Sequence, residues 1–145
     1  MITETFPTLK KIPTTKNSLA LRTDYSDESA WDAICSAIRS PVGDFRARVD
    51  FVSDPEYEGL TSERLPSVLS EDSHRSFAFI IDHMALSHPE HPILVVDLYD
   101  KPGRTFRVIP SEAWGVENNL SIANMGFDEF ADALDQDGVF RGFPG

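Results

Sequence analysis

Apolar and polar positions change period several times along this chain, and each change predicts an element. Residues 18–25, SLALRTDY, alternate: Leu19, Leu21, Thr23 and Tyr25 share one side, and Ala20, Arg22 and Asp24 the other. This predicts a first strand with one polar face. Trp31, Ile34, Cys35 and Ile38 then recur at helical spacing, so residues 27–39 read as an amphipathic helix, capped by Ser26 and ended by Ser40-Pro41-Val42-Gly43. Residues 44–52, DFRARVDFV, alternate again as a second strand, with Arg46, Arg48 and Asp50 outward. Thr61 fits as the N-cap of a short helix that tolerates Pro66 only in its first turn.

The run SFAFIID at 76–82 is apolar at nearly every position, which predicts a central strand covered on both faces. Residues 83–92 read as a connection with at most one helical turn. ILVVDLY and TFRVI flank Lys101-Pro102-Gly103, the signature of a hairpin. WGVENNLSIANM, residues 114–125, lacks a period and reads as irregular. Phe127, Phe130, Ala131 and Leu134 then mark a last helix, and VFRGFPG can add a short final strand.

Because the helical stripes need one sheet face, the expected fold is α/β: a two-layer α/β sandwich with a mixed sheet of about five strands, helices on one face and an unusually polar second face. Residues 1–17 read as a loose N-terminal arm and residues 18–145 as a single α/β domain. A chain of 145 residues can bury one core without disulfides or metal, and Cys35, the only cysteine, reads as a buried, inert thiol. The net charge of −11 argues against nucleic acid and membrane partners and suits a partner with a basic face. With no apolar run of membrane-spanning length and no signal-peptide pattern at the N-terminus, a cytoplasmic protein is the expectation.

Candidate chemistry centres on the hairpin. Folded symmetrically about Pro102, it would set Asp97 opposite Arg107, pairing a carboxylate and a guanidinium within an otherwise apolar ribbon. A charge in such a run must be paired to be tolerated. Arg22 and Asp24 would join them on the open sheet face, whereas Arg46, Arg48 and Asp50 read as a solvated surface on which opposite charges pair. Trp114, Glu117, Asn118, Asn119 and Asn124 concentrate donors and acceptors in one segment, which is either a self-capping loop or a lid over the sheet. Arg141 adds a guanidinium from the tail. His83, His88 and His91 match no common zinc spacing, so no metal site is expected; His83, beside Asp82, could instead be a general base oriented by a carboxylate. Phosphate-loop, dinucleotide, nucleophile-elbow and DNA-reading motifs are missing, and no cofactor is expected.

The runs LRTDYSDESAW, FRVIPSEAWGVENNLSIANMGFDEFADAL and DGVFRGF resemble a family of short acidic, chiefly actinobacterial proteins known only as a domain of unknown function. The resemblance extends from Ser18 to Phe143. It implies one complete domain and carries no activity, substrate or cofactor with it.

Two functions fit these residues. One is a small acidic binding or immunity-type module whose partner, a small molecule or a basic protein, the sequence does not identify; Asp27, Glu28, Asp132 and Asp135 would make contacts and no pocket would be enclosed. The alternative is a cofactor-free isomerase, cyclase or lyase acting on a small polar or enolisable substrate. There Asp97 or Glu117 would move the proton, with His83 as a further base. Arg22, Asp24, Arg107, Trp114, Asn118, Asn119, Asn124 and Arg141 would bind the ligand. That reading requires a ligand-sized pocket with a carboxylate titrating far from its ordinary value. The oligomeric state stays open under both.

Overall fold

Five of six strands run the same way across one mixed sheet, in the computed structural model, which describes residues 9–70 and 75–143. The strands are β1 (Ser18–Arg22), β2 (Val49–Val52), β3 (Phe77–Ile81), β4 (Ile93–Asp97), β5 (Thr105–Val108) and β6 (Val139–Phe140), ordered β2-β1-β3-β4-β5-β6. β1 is parallel to β2 and β3, β4 is antiparallel to β3 and β5, and β6 is parallel to β5. The α/β class and mixed sheet agree with the sequence pattern. The sixth strand is the two-residue addition that the tail allowed.

Helices α1 (Glu28–Arg39), α3 (His83–Ser87), α4 (Ala113–Ser121) and α5 (Phe127–Ala131) contribute to one core. There Trp31, Ile34, Ile38, Val116 and Phe130 meet Ala20, Phe79, Val95, Phe106 and Val108 of the sheet. α1 starts one residue later than the pattern suggests, because Asp27 and not Ser26 supplies the cap: its side chain accepts from Ala30 N at 3.0 Å. Ser26 is bound by Asp24 instead.

The second face of the sheet is not polar. Leu19, Leu21, Ala78, Ile80 and Val96 are covered there by Ile12, Tyr57, Leu60 and the short helix α2 (Leu65–Val68). All five residues of β3 are therefore buried, as a continuous apolar run requires. The first eight residues of the expected arm lie outside the described residues. Its remainder is anchored, with Ile12 N donating to Val68 O at 2.7 Å and Ile12 buried.

α4 corrects the expectation of an irregular segment at 114–125. Ala113, Val116, Glu117 and Leu120 are its buried residues, spaced as one helical stripe. A carboxylate inside that stripe hides the period. Asn118 and Asn119 donate back to Trp114 O at 2.7 Å and Gly115 O at 2.8 Å, four residues earlier, so their amides serve the helix itself.

Candidate functional site

The hairpin register decides where the polar residues go. Leu94 pairs with Arg107, Val95 with Phe106 and Val96 with Thr105, so the hairpin is centred between Asp100 and Lys101 and not on Pro102. Asp97 therefore meets Arg104, through Asp97 N to Arg104 O at 2.8 Å. Strand alternation then puts Asp97 with Val95 on the helical side, while Arg107 lies with Leu94 on the other. The expected Asp97–Arg107 pair does not form, and the two belong to separate networks.

Asp97 is buried and fully engaged. Its carboxylate accepts from the backbone N–H groups of Tyr99, Asp100 and Lys101 at 3.0 to 3.1 Å and from Arg104 Nη2 at 3.1 Å. Burial alone would raise its pKa, but the three N–H groups and Arg104 outweigh that and hold it below the ordinary carboxylate range. It closes the hairpin turn, with both oxygens occupied by donors of the fold.

Arg22, Asp24, His83 and Arg107 gather at the carboxyl ends of β1 and β3, with Asp82. Arg22 is 3% exposed because β1 alternation turns it, like Ala20, toward the helices. Its guanidinium lies 4.2 Å from the Tyr25 ring centre and 4.8 Å from that of Trp31, and Nη2 donates to Glu28 at 2.6 Å. This arginine pins α1 to the sheet. Asp24 accepts from Ser26, which keeps its pKa low, and its Oδ2 lies 3.3 Å from His83 Nδ1. The carboxylate orienting His83 is thus Asp24. Asp82 caps α3 through Ala85 N at 3.1 Å and takes both nitrogens of Arg107, which also donates to Pro92 O. An open cleft of about 370 Å³ beside His83 includes Thr61, Ser62 and Met84.

Glu117, Trp114 and Asn118 lie elsewhere. The Glu117 carboxylate accepts from Arg48 N at 2.7 Å and Ser18 Oγ at 2.9 Å, tying α4 to β1 and to the residue preceding β2. Asn118 Nδ2 also donates to Arg46 O at 3.0 Å, and Trp114 stacks on Phe45 with ring centres 4.9 Å apart. Asn119 is bonded to Asn124, whose Nδ2 donates to Asn119 Oδ1 at 2.7 Å and closes the turn after α4. These side chains hold segments together, while Leu120, Ala123 and Met125, from the end of α4 and the loop after it, line a cavity of about 300 Å³ with Asp97 and Tyr99.

Arg141 stands at the β6 edge among three carboxylates. It donates to both oxygens of Glu90 at 2.9 Å, to Asp135 at 2.7 Å and to Asp137 at 2.6 and 3.1 Å. Those bonds raise the pKa of Arg141 and lower those of Glu90 and Asp137. Residues 127–143 hold five acidic side chains and one basic. Beside them is an open concavity of about 620 Å³ with Leu134 and the half-exposed Phe143 in its lining and Glu129, Asp132 and Asp135 around it. Among the described residues no group of three or more His, Cys, Asp or Glu side chains could hold a metal ion, and no helix is long and apolar enough to cross a membrane.

A family model, described as a domain of unknown function, matches residues 17–143, nearly all of the chain. The chain belongs to the DUF6924 family. No curated protein matches it. In this DUF6924 domain the sequence-derived residues divide into four groups: the turn site of Asp97, the β1–β3 end with His83, the α4 ties of Glu117 and its neighbours, and Arg141 at the β6 edge. Arg104, absent from the candidate residues, takes the role expected of Arg107. The signal was local: an aspartate that begins a turn rich in Pro and Gly commonly accepts the N–H groups two to four residues on, which draws the turn toward it and shifts the register.

Proposed function

We propose that this DUF6924 protein is a binding module of the immunity type, which recognises a basic protein surface through the β6 edge. The observation that carries the reading is the surplus of carboxylate there around an apolar floor. Arg141 answers three carboxylates, while Glu129 and Asp132 add further charge beside Leu134 and Phe143. A lysine or arginine side chain from a partner could lay its hydrocarbon stem on that floor and its charge against the rim. Asp132 and Asp135, singled out from the sequence as contact residues, belong to this surface.

The enzymatic alternative has less support. Asp97 and Glu117, its proton movers, both have their oxygens occupied by donors within the fold. Every described carboxylate with a displaced pKa moves down, away from the range a general acid or base needs.

A lysine- and arginine-rich peptide titrated into isotope-labelled protein tests the proposal. Amide shifts should concentrate at Glu129, Asp132, Leu134 and Phe143, and affinity should fall at least several-fold between about 50 and about 300 mM salt. The double substitution Asp132→Asn, Asp135→Asn should abolish most of the shift. Perturbation spread evenly over the acidic surface would refute a defined site.

A further inference from the structure

Five of the thirteen lysines and arginines lie around the start of β1 and β2, at the end of the sheet away from β6: Lys16, Arg39, Arg46, Arg48 and Arg75. None of the five forms an ion pair with a described residue. Arg39 lies over the Phe51 ring at 4.6 Å. Arg75 donates to Asn17 O at 2.9 Å and Thr15 O at 3.0 Å, neutral acceptors that fix its position, while the Asp50 carboxylate acts on it through space. Two carboxylates lie nearby and are held by neutral donors, so they offset part of this charge without pairing directly with it: Asp50 accepts from Asn17 N at 2.9 Å, and Glu117 from Arg48 N and Ser18 Oγ. In a protein of net charge −11, five cations beside two carboxylates, with no ion pair to a described residue, stand out from the rest of the surface.

The cations line two adjoining open clefts that share Lys16 and Asn17. One, about 430 Å³, is lined mainly by Lys16, Arg39, Arg46 and Arg48. The other, about 520 Å³, has Arg75 with Phe77, Leu120 and the Tyr99 ring, which is 82% exposed. Together they make a trough with a cationic end and an aromatic, apolar end, each cleft within the size range of small-ligand sites.

We propose that this trough binds a small phosphorylated molecule with a planar or apolar body, its phosphate at Arg46, Arg48 and Lys16 and its body against Tyr99 and Leu120. Guanidinium forks suit phosphate oxygens, and an exposed aromatic ring suits a planar group. The cationic stretch is short and the remaining surface acidic, so a small anion is favoured over a long polyanion. This site is separate from the β6 edge, and substitutions at one leave the other intact.

The probe is adenosine monophosphate, titrated into isotope-labelled full-length protein, with adenosine and inorganic phosphate as partial ligands. The nucleotide should bind saturably at one site and shift the amides of Asn17, Arg48 and Leu120. Each partial ligand should bind about tenfold more weakly or less, a difference of about 1.4 kcal/mol. The exposed double substitution Arg46→Gln, Arg48→Gln should weaken nucleotide binding at least tenfold, as should Lys16→Met to a smaller extent, while Asp132→Asn leaves it unchanged. The proposal is overturned by any of four results: no saturation up to about 10 mM, shifts centred outside the trough, indifference to Arg46→Gln with Arg48→Gln, or tighter binding of a DNA oligonucleotide than of the nucleotide. Salt-sensitive self-association that buries the trough and resists the nucleotide would also overturn it and would identify a second copy as the occupant.

Discussion

Arg107 donates to both carboxylate oxygens of Asp82, at 3.0 and 2.7 Å, and so fastens β5 to the start of α3 across the intervening strand β4. Its third bond, to Pro92 O, secures the chain just before β4. Both side chains are partly exposed, so solvent screening reduces what the charges contribute, and the two-pronged geometry matters more. Arg107→Met should lower stability by about 1–2 kcal/mol in a urea titration, and Arg107→Lys should recover only part of that, because an ammonium cannot reproduce the fork. Full recovery by lysine would show that charge alone suffices.

Asp97 gives a pH-dependent prediction. Its folded pKa lies below the unfolded value of about 3.9, so ionisation stabilises the fold at pH values above that unfolded value. This contribution fades as pH falls through the folded pKa, when the carboxylate protonates in both states. Asp97→Ala, which strands three backbone N–H groups and Arg104, should cost about 3 kcal/mol near pH 7. The gap between wild type and variant, followed by chemical denaturation from pH 7 down to about 2, should narrow at the acid end. A constant gap would assign the loss to packing.

Glu117 separates charge from hydrogen bonding. A glutamine can still accept from Arg48 N and can donate to Ser18 Oγ, so Glu117→Gln should stay within about 1 kcal/mol of wild type. Glu117→Leu leaves the Arg48 amide without its acceptor and should cost about 2–3 kcal/mol in the same assay. Equal losses in the two variants would contradict the bridging role.

Cys35 is 6% exposed, and burial pushes its thiol up to about 11. The thiolate that reacts with disulfide reagents is therefore scarce at neutral pH. Labelling by a chromogenic disulfide at about pH 8 should be slow in native protein and complete within minutes once denaturant is added. Rapid native labelling would place the sulfur at the surface.

Elements with a plain period could be read directly from the chain. α1 declares itself through Trp31, Ile34, Cys35 and Ile38, and β3 through an unbroken apolar run. α4 could not be recognised in the same way, because Glu117 occupies a buried position that a periodicity argument reserves for apolar residues. Parity along β1 was visible, but which side faces the helices depends on tertiary packing: Ala20 and Arg22 face them, and Leu19 and Leu21 meet the α2 layer. The candidate site suffered most from register. Where symmetry suggested Arg107, the backbone bonds captured by Asp97 bring Arg104 to the same place. The grouping of Arg46 and Arg48 with Lys16 was likewise hidden, since Asp50, the apparent partner of the two arginines in sequence, is bonded to Asn17 instead.

The pairing of β6 with β5 makes completion of this sheet a late event during synthesis. Arg107 N donates to Gly138 O and Ile109 N to Phe140 O, so one flank of β5 finds its partners only after about thirty more residues, α4 and α5 among them, have followed it from the ribosome. Until then the nascent chain exposes a bare strand flank, and Phe106 and Phe130 lack the ring of Phe140 that closes over Phe130. A premature stop just before Gly138 would release a polypeptide with its sheet left open to sticking, a hazard for the proteostasis of the host that the two short residues of β6 normally remove.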